Sequence, residues 1–233
     1  MYFAVQKSVF IRVHPAFAAC FGAASRGLIR QMKVLIINAH LNYPGWSEGR
    51  LNLTFMDAAK AFFTERGQPK PGVSTVAETF VERGYKPEDE VQKHVVADLI
   101  ILQTPVNWFG APWIYKKYVD EVFNAALASK VMLDGDGRTR KDASKQYGTG
   151  GKMQGKKFMI SATWNAPRET FDNPGSFLYG GKGVADLFLP ITSNYKFCGY
   201  DILPSFGVFD IYKHPDIPRA LEDYKRHLER YCL

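Results

Sequence analysis

Three short apolar runs restrict this chain more than any other feature: Val34-Leu-Ile-Ile-Asn38, Asp98-Leu-Ile-Ile-Leu-Gln-Thr104 and Lys157-Phe-Met-Ile-Ser-Ala-Thr163. Each is nearly continuous in hydrophobicity, with β-branched residues where a half-exposed strand would alternate. Such runs are strands buried on both faces. Between them apolar residues recur at three and four positions, as Leu51, Phe55, Ala58, Ala59, Phe62 and Phe63, and as Ile114, Tyr118, Val119, Val122, Phe123 and Ala126. That period predicts amphipathic helices, the first of them stopped by Gly67. Residues 73–76 and 201–209 predict two further strands, and helices are expected near 88–97 and 183–198. Leu221, Tyr224, Leu228 and Tyr231 predict a last helix, with Asp216 and Pro218 as its start signals. Five buried strands alternating with helices specify an α/β, doubly wound parallel sheet, of natural order 2-1-3-4-5.

Charge divides the chain into two parts. Of its 30 basic residues, Lys7, Arg12, Arg26 and Arg30 fall in residues 1–31, which carry no acid. Removing these four leaves 26 basic against 23 acidic residues, so the net charge drops from +7 to +3. The pI of 9.2 would hint at nucleic acid, but the body from Met32 is only mildly basic and no nucleic-acid partner is expected. Residues 1–31 read as a transit-like extension or as the product of a misassigned start, with Met32 the true first residue. Residues 32–233 form the single folded domain. Cys20, Cys198 and Cys232 match no metal or disulfide spacing, and no window approaches the roughly 18 apolar residues of a membrane span. A reducing, cytoplasmic location follows, or an organelle if the extension is a targeting signal.

In a doubly wound sheet, ligands bind beyond the carboxyl ends of the strands beside strand 1. That rule selects loops 39–54, 104–112 and 163–181. The first ends in Ser47, Glu48, Gly49, Arg50, Leu51, Asn52, Leu53 and Thr54 and opens a helix, whose unpaired amides and dipole suit a phosphate. Ser47 as an ordinary N-cap is the plainer alternative, and a lone His40 in that loop is most simply structural. The second loop carries Pro105, Val106, Asn107 and Trp108 between two prolines. Trp108 is expected to face a ligand, whereas Trp113, on the following helix, is expected in the core. The third begins Thr163, Trp164, Asn165 and Ala166, again an aromatic with backbone donors at a strand end. Segment 129–156 is longer than the loops of about 15 residues that compact domains tolerate without a function.

Two near-motifs fail. Gly150-Gly-Lys-Met-Gln-Gly155-Lys156-Lys157 lacks the final hydroxyl residue of a phosphate loop and precedes a strand. Asp134-Gly-Asp136-Gly137 begins like a calcium loop but has Lys145 where a bidentate glutamate is needed. No metal site is expected. Arg138, Arg140, Lys141 and Lys145 form a solvated basic face that can attract a phosphate-bearing cosubstrate.

Four stretches, Trp108-Phe-Gly-Ala-Pro-Trp-Ile-Tyr-Lys-Lys-Tyr118, Asp136-Gly-Arg-Thr-Arg-Lys-Asp142, Lys145-Gln-Tyr-Gly-Thr-Gly-Gly151 and Thr163-Trp-Asn-Ala-Pro167, closely resemble the MdaB family. These are NADPH:quinone reductases of the flavodoxin-like superfamily, and the resemblance runs from about Met32 to the C-terminus. It implies a bound FAD, a homodimer, and two-electron ping-pong transfer of hydride from NADPH through flavin N5 to a quinone. By position, it would place Ser47 to Thr54 on the FAD pyrophosphate. Pro105 to Trp108 and Thr163 to Ala166 would lie on the isoalloxazine, and Tyr147 would contact the flavin and be able to deliver a proton. Val106-Asn107 stands where relatives often carry Gly-Trp, which removes one aromatic from the pocket wall. The rivals are an FMN-dependent azo- or nitroreductase of the same superfamily and a flavodoxin-like electron carrier. Carriers resemble smaller, acidic chains. A pocket built on one sheet and three short loops lacks a wall, so Tyr147, Phe171, Phe177 or Tyr179 of a second copy is expected to complete it.

Overall fold

The three apolar runs lie side by side at the centre of one parallel sheet. The structure, a computed structural model, describes residues 32–66 and 73–233. The expectations for residues 1–31 and for Gly67 lie outside these. In chain order the elements are β1 (Met32–Asn38), α1 (Arg50–Arg66), β2 (Val73–Phe80), α2 (Pro87–Val96), β3 (Leu99–Pro105) and α3 (Trp113–Ser129). Then follow β4 (Lys157–Thr163), α4 (Val184–Leu187), α5 (Leu189–Phe197), β5 (Asp201–Ile202), β6 (Phe206–Val208) and α6 (Ile217–Tyr231). The strand order is β2-β1-β3-β4-β5, with β6 also pairing β4, all parallel. This is the predicted doubly wound, flavodoxin-like arrangement.

Alternation along the buried strands sorts the core into two layers. Val34, Ile36, Leu99, Ile101 and Met159 pack under α1 and α6 against Phe55, Met56, Phe63, Tyr224 and Leu228. Leu35, Ile37, Ile100, Leu102, Phe158 and Ile160 face Tyr118, Val122 and Tyr195 on the other side. The start of α6 is as expected, with the Asp216 carboxylate accepting from the Arg219 amide at 3.1 Å.

Two strands differ from expectation. The fifth is split, because after the Leu203 amide bonds Phe158 (2.8 Å) the chain reaches Pro204, which has no N–H to continue the ladder. The Pro204 carbonyl bonds the His227 ring instead, at 2.9 Å. The second strand runs four residues past Val76, through Glu78. It is the edge strand, so a charged residue can sit in it and pair outward, here with Lys60 at 2.7 Å.

Between β2, α2 and α3 lies a buried polar cluster. Glu90, 2% exposed, accepts from Thr79 (2.8 Å), Tyr118 (2.8 Å) and Lys93 (2.6 Å). One turn on, His94 Nδ1 lies 2.9 Å from the Glu90 carbonyl and its ring stacks on Tyr195. Burial strips water from the imidazolium and lowers the His94 pKa from its ordinary 6.5 to about 4. The unfolded chain therefore takes up a proton on His94 before the folded chain does. Stability should be complete above pH 6.5 and fall as pH drops toward 4, by on the order of 3 kcal/mol at about 1.4 kcal/mol per unit. Urea unfolding from pH 7 to 4 measures this, and His94→Phe should flatten the slope in that window.

Candidate functional site

The carboxyl edge of the sheet is closed by amide side chains. Asn38, the last residue of β1, is 3% exposed. Its Oδ1 accepts from the His40 amide and from Asn52 Nδ2, both at 2.9 Å. Its Nδ2 points to the Met56 sulfur at 3.4 Å. Asn52 Oδ1 accepts in turn from Gln103 Nε2 of β3 at 3.0 Å. Asn52 is the third residue of α1, so this chain of bonds fixes the helix's first turn against β1 and β3. Polar residues ending otherwise apolar runs were the sequence signal for Asn38 and Gln103.

The capping expected of Ser47 is taken by Gly49. The Gly49 carbonyl receives the Leu53 amide at 2.9 Å, while Ser47 exchanges backbone bonds with Tyr43. Gly49 has φ +76, and a Cβ there would lie 2.6 Å from the His40 ring. No other residue fits that position. His40 is structural, with Nε2 3.0 Å from the Ser47 carbonyl. The amides of Arg50, Leu51 and Asn52 lie in the first turn, where a helix supplies no acceptor. Glu48 is exposed and its carboxylate pairs with Arg50, so only its backbone suits an anion. Leu51 and Leu53 are half-buried, and the Thr54 hydroxyl bonds the Arg50 carbonyl at 3.0 Å.

After β3 the chain makes a two-residue hairpin. The Asn107 amide donates to Gly110 at 2.8 Å and the Gly110 amide to Asn107 at 3.1 Å. Between them Trp108 has φ +46 and Phe109 φ +70. Positive φ at both positions is normally left to Asn and Gly, and aromatic residues there carry strain. The turn lifts the Trp108 ring to 93% exposure and leaves Phe109 half exposed, edge-on to Tyr179 at 6.3 Å. Pro105 and Val106 are half-buried below it, and the Val106 amide is spent on the Thr163 carbonyl at 3.0 Å.

Two expectations at this edge are corrected. The Trp164 ring is 1% exposed and packs among Phe171, Phe188 and Phe209, and its amide bonds Val208 at 2.7 Å. It is core, because the loop that follows folds back over the sheet face. Thr163 is also buried and Ala166 is half-buried against the core, which leaves Asn165 to face outward. Conversely Trp113, expected in the core, is exposed at the start of α3. There Tyr115 and Tyr118 take the inward positions.

Tyr147 is separated from the rest. Its exposed ring lies 5.3 Å from that of Phe197, the last residue of α5, and Arg138 sits over it. Nearby, Met153 bonds the Cys198 carbonyl at 2.9 Å, and Lys157 pairs Asp201 where β4 and β5 begin. These are the amino ends of the strands. A seven-residue strand is roughly 20 Å long, so Tyr147 and the loops at 47–54 and 104–109 occupy opposite edges of one chain's sheet. Phe171 is core, Tyr179 is half-buried and Phe177 is fully exposed. No helix among the described residues is long and apolar enough to cross a membrane.

Comparison with known proteins agrees with this architecture. The family model described as flavodoxin-like fold matches residues 32–232. The NADPH:quinone oxidoreductase MdaB of Haemophilus influenzae is 38% identical over 199 residues, covering 85% of this chain and 98% of that protein. Among solved structures, a Klebsiella pneumoniae protein assigned provisionally as a quinone reductase superposes with a TM-score of 0.65 at 20% identity, covering 86% of this chain and 83% of that one. General stress protein 14 of Treponema denticola, solved in complex with FMN, superposes with a TM-score of 0.55 at 20% identity, covering 85% of this chain and 98% of that one.

The strained turn makes a stability prediction. Phe109→Gly should raise unfolding stability by about 0.5–1 kcal/mol through relief of the left-handed conformation, seen as a melting temperature higher by roughly 2 °C. An unchanged or lower value would mean that the Phe109–Tyr179 contact outweighs the strain.

Proposed function

The chain belongs to the MdaB quinone oxidoreductases of the flavodoxin-like fold family, and from that premise we propose that it is an FAD-dependent NADPH:quinone oxidoreductase working as a homodimer. The observation that carries the proposal is the convergence at one sheet edge of a helix first turn, locked by buried amides, with an exposed aromatic turn held under strain. The residues fit a flavin dinucleotide chemically. The amides of Arg50, Leu51 and Asn52, with the Ser47 hydroxyl beside them, are donors of the kind a diphosphate needs. Trp108 offers a flat apolar face for the ring system, and the exposed Asn165 suits its polar edge.

When bound, FAD supplies the redox chemistry, accepting a hydride from NADPH and passing two electrons to the quinone. The chain's own residues bind, orient and exclude water. With Trp108 against the ring system, Phe109, edge-on to Tyr179, would wall the space beside it in which NADPH and quinone take turns in a ping-pong scheme. Tyr147 cannot join the loops at 47–54 and 104–109 within one chain. Its exposed ring, propped by Phe197 and Arg138, suits a pocket bound mainly by a second copy. There its hydroxyl can hold a proton beside the quinone.

Identifying the flavin released from the denatured protein tests the cofactor. FAD is expected, whereas FMN would favour an azo- or nitroreductase. Trp108→Ala should weaken flavin retention about five- to a hundredfold, the equivalent of about 1–3 kcal/mol for a lost stacking partner, with the fold intact. Unchanged retention would put Trp108 outside the site. Sedimentation at micromolar concentration should give about twice the 26.3 kDa chain mass. A monomer fully active at nanomolar dilution would show the pocket to be complete in one chain.

A further inference from the structure

One large aromatic at the carboxyl edge has no role in the pocket described above. Trp46 is 81% exposed, yet its backbone is fixed. The Tyr43 amide bonds Ser47 at 3.0 Å, while the Ser47 amide (2.8 Å) and the Trp46 amide (3.0 Å) both bond the Tyr43 carbonyl. Pro44 and Gly45, the latter at φ +74, complete the tight turn between them. A rigid turn that ends in a solvent-facing indole is a preformed stacking surface, since little ordering remains to be done on binding.

Its position says what can stack there. The Asn42 amide donates to Glu82 Oε1 at 3.0 Å, in the turn that follows β2. The Trp46 turn therefore sits on the β2 side of the α1 first turn. The loops after β3 and β4 leave on the other side of β1. A dinucleotide whose diphosphate lies on the α1 amides and whose redox ring lies toward β3 and β4 has the β2 side left for its other half. We infer that Trp46 is the platform for the adenine ring of the cofactor and thereby the residue that makes this chain retain FAD in preference to FMN. The inference rests on the dinucleotide reading above. FMN ends at its phosphate and has no second ring to lay on Trp46, whereas a purine has a wide π-face that stacks without needing any charged partner.

The test compares the purified protein with Trp46→Ala and Trp46→Phe, each saturated in parallel with FAD or with FMN. Dissociation constants are read from flavin fluorescence on dilution into flavin-free buffer. Trp46→Ala should weaken FAD about five- to a hundredfold, the range for one lost stacking partner, and leave FMN within about twofold. Trp46→Phe should recover most of the FAD affinity. Equal weakening of both flavins would make the turn a mere shaper of the phosphate cradle and overturn the inference, as would FAD binding indifferent to either substitution. A protein that retains FMN and rejects FAD would overturn the dinucleotide reading itself, an outcome distinct from tight FAD binding that ignores Trp46.

Discussion

Asn38, Asn52 and Gln103 form the joint on which the carboxyl edge of this sheet depends. A parallel sheet ends in a row of backbone groups that the next loops must satisfy, and the residues doing so are removed from water. Buried amides left unpaired cost about 1–3 kcal/mol each, so these side chains must find one another. They do, through two bonds, Asn52 Nδ2 to Asn38 Oδ1 at 2.9 Å and Gln103 Nε2 to Asn52 Oδ1 at 3.0 Å, that run from β1 to α1 to β3, and only Gln103 Oε1 among their buried polar atoms is left without a partner. The first turn of α1 is thereby held in one orientation relative to the strand ends. Gly49 completes the joint, because only a residue without a Cβ lets the backbone pass against the His40 ring.

Beside this rigid joint the same edge carries features that folding does not favour. Trp108 and Phe109 occupy left-handed conformations, and Trp46, Trp108 and Trp113 expose indole rings to solvent. Large exposed aromatics are uncommon on a monomer without a binding role, and strain of this kind persists only where the surroundings enforce it. Here the enforcement is the pair of backbone bonds between Asn107 and Gly110. A stable joint next to a strained, exposed aromatic rim accords with a proposed site that must hold a flat cofactor while admitting two substrates in turn.

The buried tyrosines serve a different end. Tyr115 and Tyr118 of α3 and Tyr195 of α5 are buried, which pushes their hydroxyl pKa values up. They bond to one another and to Glu90 and His94. This cluster fastens the helical layer to the sheet, and burial within it lowers the His94 pKa. Cys198 and Cys232 are likewise buried, their thiols pushed up to about 12 by lost hydration, and so are unreactive at neutral pH.

The sequence by itself determined the sheet and its order, because buried strands must be continuously apolar, and it singled out the loops at the sheet's carboxyl edge as the candidate site. The amphipathic periods and the Asp216 cap were legible for the same local reason. Only the tertiary structure decided which aromatic faces which way. Trp164 and Trp113 carry the same side chain in similar strand-to-helix surroundings, yet one is core and the other exposed, because a returning loop covers the first and none of the described residues covers the second. Tyr147 shows the same limit. Its sequence neighbourhood resembles a flavin contact, but its place at the far edge is set by packing on Phe197, fifty residues onward in the chain. Burial of a single ring depends on long-range packing, and no local pattern of residues encodes it.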